Sequence, residues 1–341
     1  MERLPGRLGA QVGGSKLMVV GDATTIPLFG MKLASALGAP HWATPAGETS
    51  KSWESLQAGC AACVRAGLDR GSTIVAVGGG VVGDLAGLIA ALYLRGIGVI
   101  HVPTTLLAMV DSSIGGKAAI DLPEGKNLVG AFKPPMAVYI DPLLLSGLPD
   151  REYRSGLAEV LKYSMIADEQ LYDSLLANRQ KMIEKDLDLL TTVVAACCAI
   201  KAGVVSRDEN EQGERAILNY GHTFGHALEA ATGYTRMTHG EAISVGMAVA
   251  GEIGREIGLT PAEVIASQEE LLSAYGLPQR APGAAAVATT VEIIGRDKKS
   301  RDGVTPWVLL EALGHATPGH RVEREVVERA IGRALGAGGN G

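Results

Sequence analysis

Cysteine is scarce, positive charge is not in excess, and no leader-like apolar core opens the sequence; each shortage removes a class of function. Four cysteines in 341 residues do not make a disulfide framework. Cys60 and Cys63 form a CxxC, but inside an Ala-rich helical pattern without the turn or second pair of a zinc ribbon, and Cys197 and Cys198 are adjacent in another helical stretch. All four are expected to be core thiols in a reducing compartment. A formal net charge of −6 argues against a nucleic-acid binder, which would carry a basic face. Any anionic ligand must then be met by locally placed Lys and Arg. The longest uninterrupted apolar run near the middle, 85–94, stops at Arg95, short of the roughly 20 residues a bilayer requires. The opening MERLPGRLGA lacks the apolar core of a signal peptide. The expected location is cytoplasmic, with neither membrane nor nucleic acid among the partners. Internal repeats, low-complexity domains and heptad arrays are also missing.

What is present is glycine, 45 residues of it, in a chain that is 47% hydrophobic and long enough for two domains sharing a cleft. LMVV at 17–20 reads as a buried strand ending at Gly21-Asp22, followed by helical spacing over 27–37. The polar loop GETSKSWES carries Glu48 and Lys51 and opens a helix that runs to about Ala66. STIVAVGGGVVGDLAG has the order strand, glycine turn, helix, and Gly78, Gly80 and Gly83 match G-x-G-x-x-G in the context that lets backbone N–H groups face a pyrophosphate. The acidic residue expected about 20 positions on is missing, so the turn reads either as a dinucleotide site or as a tight packing turn. A strand over 97–102 ends at Thr104-Thr105; Asp111, Lys117, Lys126 and Asn127 follow around the Gly115-Gly116 turn, as anion-reaching groups or as plain surface residues. A last strand covers 136–141, and the pattern turns helical after a boundary near Pro149-Asp150.

Glu159 and Lys162 share a helix face, as a cleft pair or as an ordinary surface pair. A long helix over 187–205 carries Lys201, and Glu211, Arg215 and Asn219 continue at a spacing of four. Three of the seven histidines then fall in RAILNYGHTFGHALEAATGYTRMTHGE. His222 and His226, four apart, would lie on one helix face about 5–6 Å apart at Cβ, with His239 arriving on a Gly-flanked loop; neutral imidazoles suit zinc, and packed or solvated histidines are the alternative. An apolar helix is expected over 243–257, a short helix and loop over 281–292, and a hairpin over 296–316 that turns at Asp302-Gly303. GAGGNG at the end is expected to be disordered.

Six motifs, in order, carry a specific likeness: GGGVVGDLAG, VPTTLLAMVDSSIGGKAAID, KNLVGAF, SGLAEVLKY, LNYGHTFGHALEAATGY and HGEAISVGM. Together they resemble the 3-dehydroquinate synthases of the sugar phosphate cyclase superfamily, over about residues 17–320. The resemblance implies an α/β fold, with an N-terminal Rossmann-like parallel-sheet domain (1–150) that binds NAD and a mostly α-helical C-terminal domain (151–341) that binds metal and substrate. It further implies a homodimer, a divalent metal (zinc, with cobalt as the alternative) and a sugar acid phosphate substrate, converted through transient oxidation by NAD, phosphate elimination, re-reduction and aldol closure. By that likeness the metal ligands are Glu159, His222 and His239, which moves His226 from co-ligand to substrate. Lys162, Lys201, His226, Asp111, Arg215 and Asn219 fall on catalytic positions. Arg95, Lys117, Asn127 and Lys298 fall on substrate-binding ones, with Arg95 reaching the neighbouring subunit. NAD would lie on Gly79, Gly80, Val81 and Asp84, near Thr104, Thr105 and Lys126, with Asp22, Glu48 and Lys51 towards the adenosine. Two features depart from the family: the N-terminus is short, so an initial strand is reduced or missing, and Ser146-Gly147 stands where a Thr is usual. Rival readings are a 2-deoxy-scyllo-inosose or valiolone-type cyclase, a metal-dependent alcohol or glycerol dehydrogenase, and a non-catalytic NAD-binding regulator. The loop Ser113-Ile114-Gly115-Gly116-Lys117 favours the dehydroquinate type.

Overall fold

A computed structural model describes residues 3–334, apart from 210, 212, 235, 282, 284–288 and 295–305. The chain divides into two compact units, Met1–Leu148 and Pro149–Gly341. In the first unit, helix α1 (Leu4–Val12) precedes strand β1 (Leu17–Asp22). A helix thus precedes β1, where an initial strand was expected to be reduced or missing. It starts on a proline near its N-terminus and stops at Gly13 in the left-handed region, the usual asymmetry of helix ends. Next come α2 (Met31–Leu37), β2 (His41–Thr44), α3 (Trp53–Arg65), β3 (Thr73–Gly78), α4 (Gly80–Leu92) and β4 (Gly98–Pro103). A hairpin of β5 (Lys117–Leu122) and β6 (Gly125–Phe132) follows, and β7 (Ala137–Val138) closes the unit.

Five strands pair in the order β2-β1-β3-β4-β7, every pair parallel. β3 is buried along its whole length, as a strand covered on both faces must be. Met18, Val20, Ile74 and Ala76 from the sheet pack with Leu85, Leu88 and Ile89 of α4 in one core. Since all strands run the same way, Asp22, Gly78 and Thr104 fall together at the carboxyl edge of the sheet, where α/β proteins bind ligands. The strand expected over 136–141 is reduced to Ala137–Val138, because Pro134, Pro135 and Pro142 leave little backbone N–H to pair. β2 and the β5–β6 hairpin escape the sequence reading: β2 is short and mostly exposed, and β6 has no buried residue.

The second unit is built on helices α5 (Asp150–Ala167), α6 (Glu169–Ala177), α7 (Arg179–Ile183), α8 (Leu187–Arg207), α9 (His222–Ala231), α10 (His239–Glu256) and α11 (Ala262–Ala274). A hairpin of β8 (Pro306–Ala312) and β9 (His315–Arg321) follows, and α12 (Arg324–Ala334) ends the described chain. This hairpin turns at Leu313-Gly314; the turn expected at Asp302-Gly303 lies outside the described residues, as does Lys298. Gly314 supplies the positive φ of 72° that the turn needs. Of the stretch 281–292, residues 289 onwards are helical and much of the rest is outside the description, as is GAGGNG. α8, with 21 residues, is long and apolar enough to cross a membrane by length and composition, more so than the run at 85–94. Its buried residues are Leu190, Val193, Val194, Cys197, Lys201 and Val204.

Three helices meet at the site through unusually small residues. α10 lies across α5 so closely that a Cβ at Gly240 would stand 2.1 Å from the carbonyl oxygen of Ser155, and one at Gly246 would stand 1.9 Å from that of Gly221. Only glycine fits at either crossing. The start of α10 is fixed by a capping box, in which Thr238 receives Glu241 N–H and Glu241 receives Thr238 N–H. Glu241 also holds Arg151 of α5 at 3.0 Å.

Candidate functional site

α5 and α10 are buried almost throughout, and α5 carries two charged residues into that interior: Glu159 at 0% exposure and Lys162 at 1%. Buried charges of this kind need partners. Lys162 Nζ donates to Glu159 Oε2 and, at 2.8 Å, to the carbonyl of Leu218. The pair is therefore an interior one rather than the surface pair its spacing also allowed. The other oxygen, Oε1, lies 3.3 Å from His222 Nε2 and 3.6 Å from His239 Nε2. His222 opens α9, and His239 opens α10 as its first residue rather than sitting in a loop. The tight crossing at Gly240 is what brings that first turn against α5.

Each imidazole is held at its far nitrogen. His222 Nδ1 lies 3.1 Å from the carbonyl of Tyr220, a partner that fixes Nδ1 as the protonated nitrogen. His239 Nδ1 lies 3.2 Å from Oε2 of Glu229, a buried carboxylate on α9. Burial pushes the pKa of His222 well below the ordinary histidine value. Burial acts on His239 in the same sense, but hydrogen bonds to Glu159 and Glu229 and their charges outweigh it and hold the pKa up at about 10. The surroundings of His239 thus favour positive charge.

Glu159, His222 and His239 form a group whose donor atoms all lie within 4.8 Å of one another. Two imidazole nitrogens and one carboxylate are the donor set of an open catalytic zinc site, so the residues fit a borderline dication. The expected His222–His226 neighbourhood also exists, with ring centroids 5.1 Å apart. His226, however, is exposed and groups with Glu229 and His239 instead. Glu229 escaped the sequence reading; its one visible signal is the H-x-x-E spacing from His226.

Two further cations of this unit are buried: Lys201 on α8 at 7% exposure and Arg215 in the segment Glu214–Asn219 at 2%. Arg215 Nη1 donates to the carbonyl of Glu209 at 2.5 Å. Asn219 Nδ2 donates to Glu211 Oε1 at 2.7 Å. The regular helix implied by the spacing of Glu211, Arg215 and Asn219 is not formed. Glu211 has a φ of +56°, and only Glu214–Asn219 is helical, as a 3₁₀ segment.

In the first unit the glycine turn joins β3 to α4: Gly78 ends the strand, Gly79 caps the helix, and Gly80 and Val81 begin it. A Cβ on Gly79 would come within 3.1 Å of Thr105, so the backbone is bare where a ligand could approach. Thr104 N–H donates to Gly78 O at 3.0 Å, and Thr105 Oγ1 receives Ala108 N–H at 3.2 Å. His101 lines a cavity of about 10 Å³ behind the turn with Gly78, Gly79, Gly83, Ser112 and Ser113. Burial lowers its pKa to about 4. Asp22 Oδ1 receives Thr24 and Thr25 N–H at 2.9 and 2.7 Å.

Lys51 draws together several residues that the sequence left scattered. Buried to 4% exposure, its Nζ lies 2.8 Å from Asp84, 3.7 Å from Glu48 and 3.8 Å from Asp121, and it donates to Asn127 Oδ1. Lys126 reaches Glu48 at 3.5 Å. Burial alone would lower the pKa of Lys51, but Asp84 and Glu48 raise it above the ordinary value, so the ammonium stays charged. Asn127, expected to meet substrate, sits in this cluster, with a φ of +57° that asparagine tolerates. Asp111 lies in the π-helical turn Ala108–Ser112, and Lys117 is exposed at the start of β5. Arg95 is exposed, in left-handed backbone beside Leu94.

The comparisons with known proteins follow this geometry along the chain. Residues 41–155 match the family described as 3-dehydroquinate synthase N-terminal, and residues 156–300 match 3-dehydroquinate synthase C-terminal. A 3-dehydroquinate synthase of Xylella fastidiosa (strain M12) is 42% identical over 339 residues, covering 96% of this chain and 92% of the relative. Among solved structures, a 2-deoxy-scyllo-inosose synthase complexed with carbaglucose-6-phosphate, NAD+ and Co2+ superposes with a TM-score of 0.88 at 29% identity, covering 97% of this chain and 95% of that one. The 2-epi-5-epi-valiolone synthase of Streptomyces hygroscopicus, with NAD+ and Zn2+ bound, gives 0.85 at 28% identity, covering 97% and 94%.

Proposed function

The chain belongs to the 3-dehydroquinate synthase family, and from that footing we propose how its residues divide the work of converting 3-deoxy-D-arabino-heptulosonate 7-phosphate into 3-dehydroquinate and phosphate. The first unit binds NAD and the second binds a divalent metal and the substrate. The observation that carries this reading is the convergence of two imidazole Nε2 atoms on one oxygen of Glu159. A metal held by Glu159, His222 and His239, zinc or cobalt as in the related cyclases, supplies positive charge where a substrate hydroxyl gives up its proton. NAD supplies the acceptor and later the donor of one hydride.

The chain's own groups do the rest. Lys162, by holding Glu159 Oε2 and Leu218 O, turns Oε1 towards the two imidazoles. Lys201 and Arg215 are buried cations in an acidic chain, suited to the carboxylate and phosphate of the substrate. Asn219, with an N–H donated to Glu211, keeps its carbonyl oxygen as an acceptor for a hydroxyl. His226, exposed beside the cluster, is placed to carry a proton near the departing phosphate. The family resemblance also assigns Asp111, Lys117, Asn127 and Lys298 to the substrate.

For NAD, the backbone N–H groups at Gly79, Gly80 and Val81 open α4 and suit a pyrophosphate. Thr104 and Thr105 edge the turn, while Lys51, Asp84, Glu48, Lys126 and Asp22 serve the ribose and adenosine. Arg95 is given to the site of a partner subunit in a homodimer. Four cysteines outside any disulfide are consistent with work in the cytoplasm.

The direct test supplies the heptulosonate phosphate with NAD and a divalent metal, and follows phosphate and dehydroquinate together. Equal yields are expected. No phosphate release, with turnover of a hexose phosphate or simple alcohol instead, would overturn the assignment. Sedimentation velocity checks the dimer, and Arg95→Ala should lower activity while leaving metal and NAD bound.

A further inference from the structure

Glu229 has no part in the reading above, although it is a carboxylate at 4% exposure within reach of a proposed ligand. It lies two helical turns after His222 and hence on the same face of α9. Its Oε2 faces His239 Nδ1 at 3.2 Å, on the side of the ring opposite Glu159. The two imidazoles therefore differ in what stands behind them. His222 is backed by a neutral carbonyl, whereas His239 is backed by a buried charge. Resting on the ligand set Glu159, His222 and His239, we propose that Glu229 is a positioning residue for metal binding: it accepts the Nδ1 proton of His239, fixes the ring with Nε2 towards the metal, and makes that nitrogen the more basic donor of the two.

A carboxylate behind a ligating imidazole holds both tautomer and orientation, and its loss typically weakens metal binding by about 10–100-fold. The same residues allow a different arrangement, because His226, Glu229 and His239 also bring their donor atoms within 4.8 Å of one another. In that arrangement Glu229 would itself be a ligand, of a second ion.

The experiment strips the full-length enzyme with a chelator and titrates it with Co2+, following the visible absorption, with Zn2+ competition to give affinities. Expected are one equivalent for the wild type and for His226→Ala with equal affinity, a roughly 10–100-fold weaker single equivalent for Glu229→Gln, and turnover of Glu229→Gln restored by excess metal. A merely structural loss would not be restored by metal. Where Glu229→Gln folds poorly by circular dichroism, Glu229→Asp keeps the charge one methylene further back and should bind with a smaller loss that excess metal again reverses. Unchanged affinity in Glu229→Gln, with His222→Ala losing the ion, overturns the role of Glu229 alone. A second Co2+ equivalent that disappears in both Glu229→Gln and His226→Ala overturns it in favour of a ligand role. Full affinity in His222→Ala overturns the ligand set itself and the proposal with it.

Discussion

The two units make their candidate sites from different material. At the glycine turn of the first unit the wall is backbone: side chains are missing at Gly78, Gly79 and Gly80, and the groups that face outward are N–H donors at a helix N-terminus. In the second unit the wall is side chain, with a carboxylate and two imidazoles carried on α5, α9 and α10 and held by further buried polar groups. A backbone site is robust to the identity of its neighbours and sensitive to any added Cβ. A side-chain site depends on how three separate helices are packed. The difference predicts where each unit breaks.

The largest effect should come from the imidazoles. His239→Ala should lose the metal and reduce kcat/KM by about 10³-fold or more, since metal stabilisation of developing charge is worth several kcal/mol. His226→Ala should lose turnover and keep the metal. Metal analysis beside the activity assay decides, and equal metal loss in both variants would undo the ligand assignment.

Next is Gly240→Ala, which touches no ligand. The added Cβ would stand 2.1 Å from Ser155 O, so α10 must shift from α5 and carry His239 away from Glu159. A loss of about 3 kcal/mol in denaturant stability, with weakened metal binding, is expected. NAD affinity should not change.

Lys51→Met is the counterpart in the first unit. It leaves Asp84, Glu48 and Asp121 facing one another without their shared cation. About 2–3 kcal/mol of stability and most NAD affinity should go, as read by urea unfolding and NAD titration, while bound metal stays. Loss of metal in this variant would show that the two sites are not separable.

At neutral pH the smallest effect is that of His101, which emerges only on acidification. His101 is buried and neutral, with a pKa lowered to about 4 by burial, whereas the unfolded chain takes up the proton near 6.5. Its contribution is fully present above about pH 6.5 and is lost as the pH falls towards 4, by up to about 3 kcal/mol. His101→Gln should flatten this part of the stability profile relative to wild type.

The same contrast governs how much could be read from the sequence. β1, β3 and β4 announce themselves as apolar runs ending in Gly or Thr, and the glycine turn is local, so its place after a strand and before a helix was legible. β2 and the β5–β6 hairpin were not, because their residues do not alternate cleanly or bury a full face. Leu313-Gly314 is a weak local turn signal, yet the β8–β9 hairpin turns there, where the strands on either side find their register. In the histidine cluster, spacing exposed His222 and His226 because they share one helix. Glu159 lies on a different helix, and its nearness to His222 is a fact of packing that no short-range pattern encodes. Its proposed role as a ligand came from the resemblance. Glu229 sits in an Ala-rich helix, where a single carboxylate ordinarily reads as solvated surface.

The first turn of α10 joins tasks that are usually apart. Thr238 and Glu241 cap the helix, Gly240 seats it on Ser155, Glu241 ties it to Arg151, and His239 between them faces Glu159. A helix turns by about 100° and rises 1.5 Å for every residue of slip, so a shift of one position would swing the imidazole out of reach. This turn is therefore a gauge of register, and a screen for metal-deficient variants should recover Thr238, Gly240 and Arg151 as well as the ligands.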